Sequence, residues 1–299
     1  ILRIKKIIKS ENEISKYCRN LKTPTSFVAT MGSLHKGHIR LMDEAKKYSD
    51  ILIASLFINP LQFNNPGDLS SYPKNLEKDI KIFEQNNVDL LYIPEEKDII
   101  SPELKNIDSG LQGKILEGKY RPGHFDGVLT IVNKFFEIIK PDFAFFGIKD
   151  IQQLCLIFSK LSSMHNIKII PVETERDSNG LALSSRNNLL SASERKAAAI
   201  IFKGLDSLSK EIKINKSVNI HNYLSNFYNQ NKLIELEYIL IENLSIFNEK
   251  NIFIYDLFEG KKCKVVMVAA KIGEVRLIDN LIINWNIQIQ DKFLIYQHM

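Results

Sequence analysis

The sequence predicts an α/β fold, in which a doubly wound, Rossmann-like parallel sheet is followed by a second, smaller α+β domain. Short apolar runs alternate with amphipathic segments of helical length over the first 172 residues, which is typical of βαβ units. From about residue 173 the order changes to helices followed by strands. A chain of 299 residues fits two domains of ordinary size. We place them at 1–174 and 175–299, the second as a lid domain.

The first part of the chain consists of repeated strand and helix patterns. Residues 27–31 and 51–58 are apolar runs typical of parallel strands covered on both faces, and residues 38–48 between them have helical apolar spacing. The alternation then predicts a helix at 75–86, a strand at 88–93, a helix at 126–139, a strand at 141–146, a helix at 150–163 and a strand at 167–172. In such sheets, ligands bind beyond the carboxyl ends of the strands.

The second part of the chain has a different order of elements. Its pattern predicts helices at 191–209 and 218–229, followed by strands at 234–241, 252–257, 263–271 and 275–278. Helices grouped before strands indicate an α+β domain rather than a continued parallel sheet.

Composition and charge exclude several classes of protein. A hydrophobic content of 44% and a charged content of 25% are typical of globular proteins, and no apolar run approaches the ~18 residues of a spanning helix. The net charge is +5, with basic and acidic residues interleaved. That distribution indicates a solvated surface rather than a nucleic-acid-binding stripe, so we expect neither nucleic acid nor membrane as a partner. A mild positive potential favours small anionic ligands.

The cysteines and the N-terminus bear on the compartment. Cys18, Cys155 and Cys263 are odd in number and far apart, which favours a reducing compartment over a disulfide framework or a zinc cluster. Residues 1–6 lack the apolar core of a signal peptide. We therefore expect a cytoplasmic protein.

The strongest functional signal is the segment TMGSLHKGH at 30–38, where the first strand turns into the first helix. A helix N-terminus attracts phosphate because its N–H groups are unpaired and carry partial positive charge. His35 and His38 are three residues apart, so both can donate to the same phosphate oxygens. Isolated histidines at this spacing are more often surface residues or metal ligands. A phosphate clamp is favoured here, because Gly37 lies between the two histidines and a predicted strand precedes the segment.

Two further segments follow predicted strands. FINPLQF at 57–63 carries Gln62, which either contacts a ligand or only forms a turn. FGIKDIQQ at 146–153 carries Lys149, suited to phosphate, and Asp150, suited to ribose hydroxyls. The alternative for the second segment is an ordinary capped helix.

A fourth segment, GLALSSRN at 180–187, groups two hydroxyls and a guanidinium. Ser184, Ser185 and Arg186 suit phosphate oxygens. The alternative is a polar linker between the domains.

These segments resemble known enzymes. The 30–38 segment is similar to the HxGH signature of adenylyl-transferring α/β enzymes, which include nucleotidylyltransferases, class I aminoacyl-tRNA synthetases and pantothenate synthetases. All four segments, with supporting ones at 68–73, 121–128 and 276–280, closely resemble the pantothenate synthetase (pantoate–β-alanine ligase) family in order and spacing. The resemblance extends from about residue 23 to 282.

The resemblance implies an activity. Members of this family condense pantoate with β-alanine through a pantoyl adenylate, and they split ATP into AMP and pyrophosphate in the presence of Mg²⁺. It also implies a homodimer. The main alternative is a nucleotidylyltransferase, which shares HxGH and the sheet but does not require the glutamines or the C-terminal domain. The remaining alternative is a module that binds a nucleotide or nucleic acid and catalyses no reaction.

The resemblance also implies residue roles. It assigns catalysis to His38, as proton donor, and to His35, Lys149 and Arg186, and it assigns pantoate or β-alanine binding to Gln62 and Gln153. ATP would be bound by Met31, Gly32, Ser33, Leu34, His35, Lys36, Gly37, His38, Gly147, Ile148, Lys149, Asp150, Leu183, Ser184, Ser185 and Arg186. Asp79 matches a family acidic position near the metal and β-alanine, with a solvated helix face as the alternative.

Four residues depart from the family pattern, and one of them is Asp126, where many members carry a different residue. Ala29 stands where a proline is usual, Glu175 where the residue is normally apolar, and Asn179 where an aspartate is usual. These departures concern the local geometry over the adenine rather than the chemistry.

Overall fold

The computed structural model describes residues 4, 6–64, 66–215, 217–244 and 263–284. Among these, the residues up to 148 and residues 152–172 form one compact unit. Residues 149–151, 173–244 and 263–284 form a second unit. The domain boundaries inferred above stay a prediction.

The first unit contains a six-stranded, all-parallel sheet with strand order β1-β4-β3-β2-β5-β6, which confirms the predicted fold class. Its strands are β1 (Lys6–Ile8), β2 (Thr25–Thr30), β3 (Ile51–Leu56), β4 (Leu90–Tyr92), β5 (Phe143–Gly147) and β6 (Lys168–Val172). The sequence did not predict β1, because it is three residues long and two of them are exposed. From β2, the chain builds towards β4 on one side and later towards β6 on the other. The switch point therefore lies between β2 and β5.

Helices connect the strands of the first unit. They are α1 (Glu11–Arg19), α2 (Lys36–Ala45), α3 (Pro66–Ser71), α4 (Leu76–Gln85), α5 (Glu96–Ile99), α6 (Glu117–Tyr120), α7 (His124–Ile139), α8 (Ile151–Ile157) and α9 (Ser163–His165). The helix predicted at 150–163 is interrupted, because a π-helical stretch, Phe158–Ser162, separates α8 from α9.

Both faces of the sheet are covered, which explains the continuous apolar strands. Phe27 of β2 packs edge-on against Phe135 and Phe136 of α7, with ring centroids 6.0 and 6.4 Å away. The next residue, Val28, belongs to the apolar cluster that includes Met42 of α2. Successive side chains of a strand point to opposite faces, so β2 buries its residues on both sides.

The second unit contains α10 (Ala192–Ile214), α11 (Ile220–Tyr228) and an antiparallel sheet, β7 (Ile234–Asn243), β8 (Cys263–Ile272) and β9 (Val275–Asn284). This arrangement confirms the α+β prediction. The strand predicted at 252–257 lies outside the described residues. β9 continues past its predicted end at 278, because buried hydrogen bonds satisfy the polar residues Asp279 and Asn280.

No helix in the described parts of the chain is long and apolar enough to cross a membrane.

Candidate active site

The predicted site residues are distributed over both units. In the first unit lie residues 31–38, Gln62, Asp79, Gly147, Ile148 and Gln153, and in the second lie Lys149, Asp150 and residues 183–186.

Two of the predicted segments meet at the switch point of the first unit. Ser26 and Phe27 of β2 pair with Phe143 and Ala144 of β5, so the loops that follow these strands begin at the same edge of the sheet. Gly147 ends β5, and no atom lies within 4 Å of the position that a Cβ would occupy there. The geometry therefore leaves open space beside Gly147, where a ligand can approach the backbone closely.

The buried carboxylate of Asp79 binds the backbone of the loop after β2. Gly32 and Ser33 both have positive φ, 81° and 53°. This turn directs consecutive backbone N–H groups to one side. Ser33 N donates to Asp79 Oδ2 and Leu34 N donates to Asp79 Oδ1, each at 2.9 Å. A Cβ on Gly32 would lie 2.9 Å from Asp79 Oδ2. These two amides therefore bind an anion of the protein itself, not a phosphate.

Asp79 thus has a different environment from the one expected. Its exposed fraction is 2%, so the alternative of a solvated helix face is wrong. The first turn of α4 carries the side chain, and Asn75 caps that helix by accepting from Lys78 N. Both Asp79 oxygens accept backbone N–H groups, and the described residues contain no group of three or more His, Cys, Asp or Glu that could hold a metal ion. Metal binding by Asp79 stays a prediction, and the contacts favour a role in shaping the loop.

The two histidines form the N-terminal cap of α2. His35 Nδ1 accepts from Gly37 N at 3.1 Å, and His38 Nδ1 accepts from His35 N at 3.2 Å. A nitrogen that accepts a hydrogen bond carries no proton, so we assign the proton of each neutral ring to Nε2. The ring centroids are 4.2 Å apart. The pair can therefore present two Nε2–H donors from one rigid turn, while Lys36 between them is exposed.

The turn that carries Gln62 is fixed by Asn59, which is 3% exposed. The Asn59 amide donates to Gln62 Oε1 at 3.1 Å and to Gly127 O at 3.0 Å, and its oxygen accepts from Leu61 N at 3.0 Å. Gln62 Nε2 lies 2.8 Å from the Met31 sulfur. Gln62 and the residue that follows β2 are therefore in direct contact.

Arg121 and the first residues of α7 also contact this turn, and sequence reasoning missed that contact. The Gln62 carbonyl accepts from His124 Nδ1 at 2.8 Å and from Arg121 Nη2 at 3.4 Å. A Cβ on Gly127 would lie 2.3 Å from Leu61 O, so only glycine allows this close approach. The segment at 121–128 supported the resemblance, but its spacing to Gln62 gave no signal of contact.

The two adjacent glutamines of α8 have different environments. Gln152 is 2% exposed and is used by the protein itself. Its Oε1 accepts from Glu117 N at 3.2 Å, and its Nε2 donates to Gln112 O and Ile115 O at 2.9 and 3.0 Å. Gln153 is only partly buried. Gln153 is thus the more exposed of the two, and its assignment to pantoate or β-alanine stays a prediction.

The second unit holds the remaining candidates. Lys149 Nζ lies 3.4 Å from Asp150 Oδ1, an ion pair between neighbours. Ser184 caps a short 3₁₀ turn by accepting from Arg186 N at 3.3 Å. Ser185 is partly buried and the Arg186 side chain is exposed.

The positions that depart from the family pattern are accommodated locally. Ala29 lies within β2. Glu175 uses its backbone, since its carbonyl accepts from Leu183 N at 2.9 Å. Asn179 N donates to Asp177 Oδ1 at 2.9 Å in a tight turn. The Glu175 contact therefore depends on the backbone and not on the unusual side chain.

Comparison with known proteins identifies the family of this chain. The family model described as "Pantoate-beta-alanine ligase" matches residues 4–282. A pantothenate synthetase of Wigglesworthia glossinidia brevipalpis is 42% identical over 92% of this chain and 98% of its own length. A second, from Cytophaga hutchinsonii, is also 42% identical, over 86% of this chain and 90% of its own.

Solved structures are similar as well. The pantothenate synthetase of Thermus thermophilus has a TM-score of 0.81 at 29% identity, covering 92% of this chain and 98% of that one. A pantoate-β-alanine ligase of Francisella tularensis, described as complexed with "Beta-gamma ATP and Beta-alanine", has a TM-score of 0.71 at 35% identity, covering 92% and 96%. The chain therefore belongs to the pantoate–β-alanine ligase family.

Proposed function

We propose that this protein condenses pantoate with β-alanine to pantothenate, with ATP as co-substrate and a pantoyl adenylate as intermediate. Membership of the ligase family supports the overall reaction. The relative described with an ATP ligand and β-alanine supports those two substrates. The observation that carries the adenylate step is the pair of capping histidines beside the switch point.

The chemistry takes place in two balanced steps. A pantoate carboxylate oxygen attacks the α-phosphorus of ATP, a P–O bond forms, and the bond to pyrophosphate breaks. The β-alanine amine then attacks the acyl carbon, the amide bond forms, and AMP leaves with the acyl–oxygen electron pair. The amine must be neutral to attack and loses a proton to solvent or base. Free amines of this kind have pKa values of about 10, so a desolvating site or a base assists.

Charge accumulates on the phosphate oxygens during the first step. Donors that are already in position lower that barrier by several kcal/mol, since they do not reorganise during the reaction. His35 and His38 are suited to this as neutral Nε2–H donors, because backbone N–H groups fix both rings. We assign His38 as a hydrogen-bond donor to the leaving pyrophosphate. We further assign phosphate binding to Lys149, Ser184, Ser185 and Arg186.

The acid and amine substrates need amide and hydroxyl partners. We assign Gln62 and Gln153 to pantoate and β-alanine, supported by the rigid turn around Gln62 and the partial burial of Gln153. We assign the ribose to Gly147 and Asp150, supported by the open space beside Gly147.

Magnesium is proposed as a partner of ATP, not as a resident ion. The described residues contain no three-ligand cluster, and Asp79 uses both oxygens on backbone amides. Within the described residues, these contacts favour a magnesium ion held mainly by phosphate and water, and metal binding by Asp79 stays a prediction. Mg²⁺ commonly keeps several waters and binds phosphates with few protein ligands.

An exchange assay tests the adenylate. We expect incorporation of labelled pyrophosphate into ATP only when pantoate is present, and pantothenate and AMP in equal amounts after β-alanine is added. Exchange that requires a phosphorylated acceptor, with none in the presence of pantoate, would replace this proposal by a nucleotidylyltransferase. Light scattering at micromolar concentration tests the proposed homodimer.

A further inference from the structure

The strand β9 carries two buried polar neighbours, Asp279 and Asn280, whose exposed fractions are 5% and 8%. They are not among the residues proposed above to contact the substrates. We propose that Asp279 and Asn280 are positioning residues that hold two ATP-binding segments of the second unit in place. These segments are residues 149–151 and residues 180–186. This inference depends on the proposed function, because it concerns the same nucleotide.

Asp279 acts on the 180–186 segment through Arg176. The two side chains form a bidentate pair, Nη1 to Oδ2 at 2.6 Å and Nη2 to Oδ1 at 2.9 Å. The same Nη1 also donates to the carbonyl of Gly180 at 3.2 Å. Two-point binding fixes the plane of a guanidinium. The Asp279 carboxylate therefore determines where the Gly180 carbonyl is held.

The surroundings make this arrangement stiff. The Arg176 guanidinium lies 4.0 Å from the centroid of the Phe202 ring, a cation–π contact. Gly180 has a φ of +90°, and a Cβ there would lie 2.2 Å from Phe202 Cδ1. Arg176 also pairs with Ala182 across the turn, and the chain then leads directly into residues 183–186. A shift of Arg176 thus moves the start of the predicted phosphate-binding segment.

Asn280 acts on the other segment. Its Nδ2 donates to the Lys149 carbonyl at 3.0 Å, and residues 149–151 cluster with the second unit. Neighbouring residues of a strand point in opposite directions, so one dipeptide reaches two separate segments. Asn280 of β9 therefore fixes the Lys149 backbone, and the charged groups around Lys149 orient its side chain.

A change at these positions should alter ATP binding and leave the other substrates largely unaffected. Neither residue is assigned to pantoate or β-alanine, and the glutamines assigned to those substrates lie in the first unit. A positioning role therefore predicts a rise in the KM for ATP. A merely structural role predicts less active protein with unchanged KM values.

The test uses three variants of the whole chain and one matched control. D279N keeps the shape but removes the charge, R176K keeps the charge but not the two-point binding, and N280A removes one donor. The control is E237Q, since Glu237 of β7 is largely buried and pairs with Arg276 of β9 at 2.6 Å. Steady-state kinetics give the three KM values, and calorimetry gives the Kd of a non-hydrolysable ATP analogue without pantoate.

We expect the ATP KM and the analogue Kd to rise about tenfold in D279N and R176K and about threefold in N280A, the usual range for one lost polar contact. The pantoate KM should change by less than about twofold, and E237Q should resemble the wild type in all four constants. Wild-type ATP affinity in folded R176K and N280A would overturn the inference, and these two variants decide it if D279N does not fold. If the wild type makes no pantothenate, the proposed function fails, and the analogue Kd alone then decides the positioning role.

Discussion

Asp79 either holds the loop after β2 in shape or binds a metal ion, and its contacts with that loop allow a test that separates the two roles. Replacing Asp79 with Asn keeps the volume of a side chain that is 2% exposed. One carboxylate oxygen becomes an NH₂ group, which then faces the backbone N–H of Ser33 or Leu34. One amide of the loop thus loses its acceptor, and the other keeps only a neutral one.

The magnitude follows from these two changes. A buried donor left without a partner costs about 1–3 kcal/mol, and the loss of charge on the remaining bond adds about 1 kcal/mol. We therefore expect D79N to lower the free energy of unfolding by about 2–4 kcal/mol. Because His35 and His38 follow this loop directly, kcat should also fall. Urea denaturation without Mg²⁺ measures the first effect, and pantothenate formation over a series of Mg²⁺ concentrations measures the second.

The matched control is Glu77→Gln, an exposed carboxylate in the same first turn of α4. It should change the free energy of unfolding by less than about 0.5 kcal/mol. The reasoning is refuted if D79N is as stable as this control and regains full activity at raised Mg²⁺. That pair of results is expected of a lost metal ligand and not of a lost loop contact.

The remaining predictions concern four other residues. Gly147→Ala should keep the wild-type melting temperature, because a Cβ meets no protein atom within 4 Å. The same variant should raise the KM for ATP. An unchanged KM would show that Gly147 is not part of the ribose site. Gly127→Ala should raise the KM for pantoate and lower the melting temperature, because its Cβ would lie 2.3 Å from Leu61 O; both are measured against wild type. His38→Asn should stay folded but show no pyrophosphate exchange, because the Asn side chain can replace Nδ1 as the acceptor but cannot replace Nε2 as the donor. His38→Gln should lose about 1 kcal/mol of stability, because it loses the cap. Equal stability of the two variants would contradict the assigned tautomer. Burial lowers the pKa of His165 below 6.5, so the unfolded chain binds the proton more readily than the folded chain. Stability should therefore fall as the pH decreases below about 6.5. In thermal melts at pH 5.5 and 7.5, His165→Gln should show a smaller loss of stability at the lower pH.

The order of strands and helices was predictable from the sequence because it depends on local patterns. The apolar runs at 27–31 and 51–58 correspond to β2 and β3, and the alternation indicated a sheet covered on both faces. The exceptions have local causes. β1 is too short to give a pattern, and the π-helical stretch inside 150–163 has the same residue types as an ordinary helix.

Motif residues were also identified from the sequence, because HxGH and its companion segments are contiguous. The partners of these residues were not, because they are distant in the chain. Asp79 lies 45 residues from Leu34, and Asp279 lies 103 residues from Arg176. In the sequence, nothing distinguishes either of these carboxylates from a surface or metal-binding group.

The sequence alone thus determined the class of fold and the family, and it supplied the residues that we propose for ATP binding. Only the tertiary structure decided what each group does with its hydrogen-bonding atoms. His35 and His38 use Nδ1 to cap a helix, and Asp79 uses both oxygens on backbone amides. The physical reason is that leaving a buried polar atom unpaired is costly, and which partner is within reach depends on how distant segments pack together.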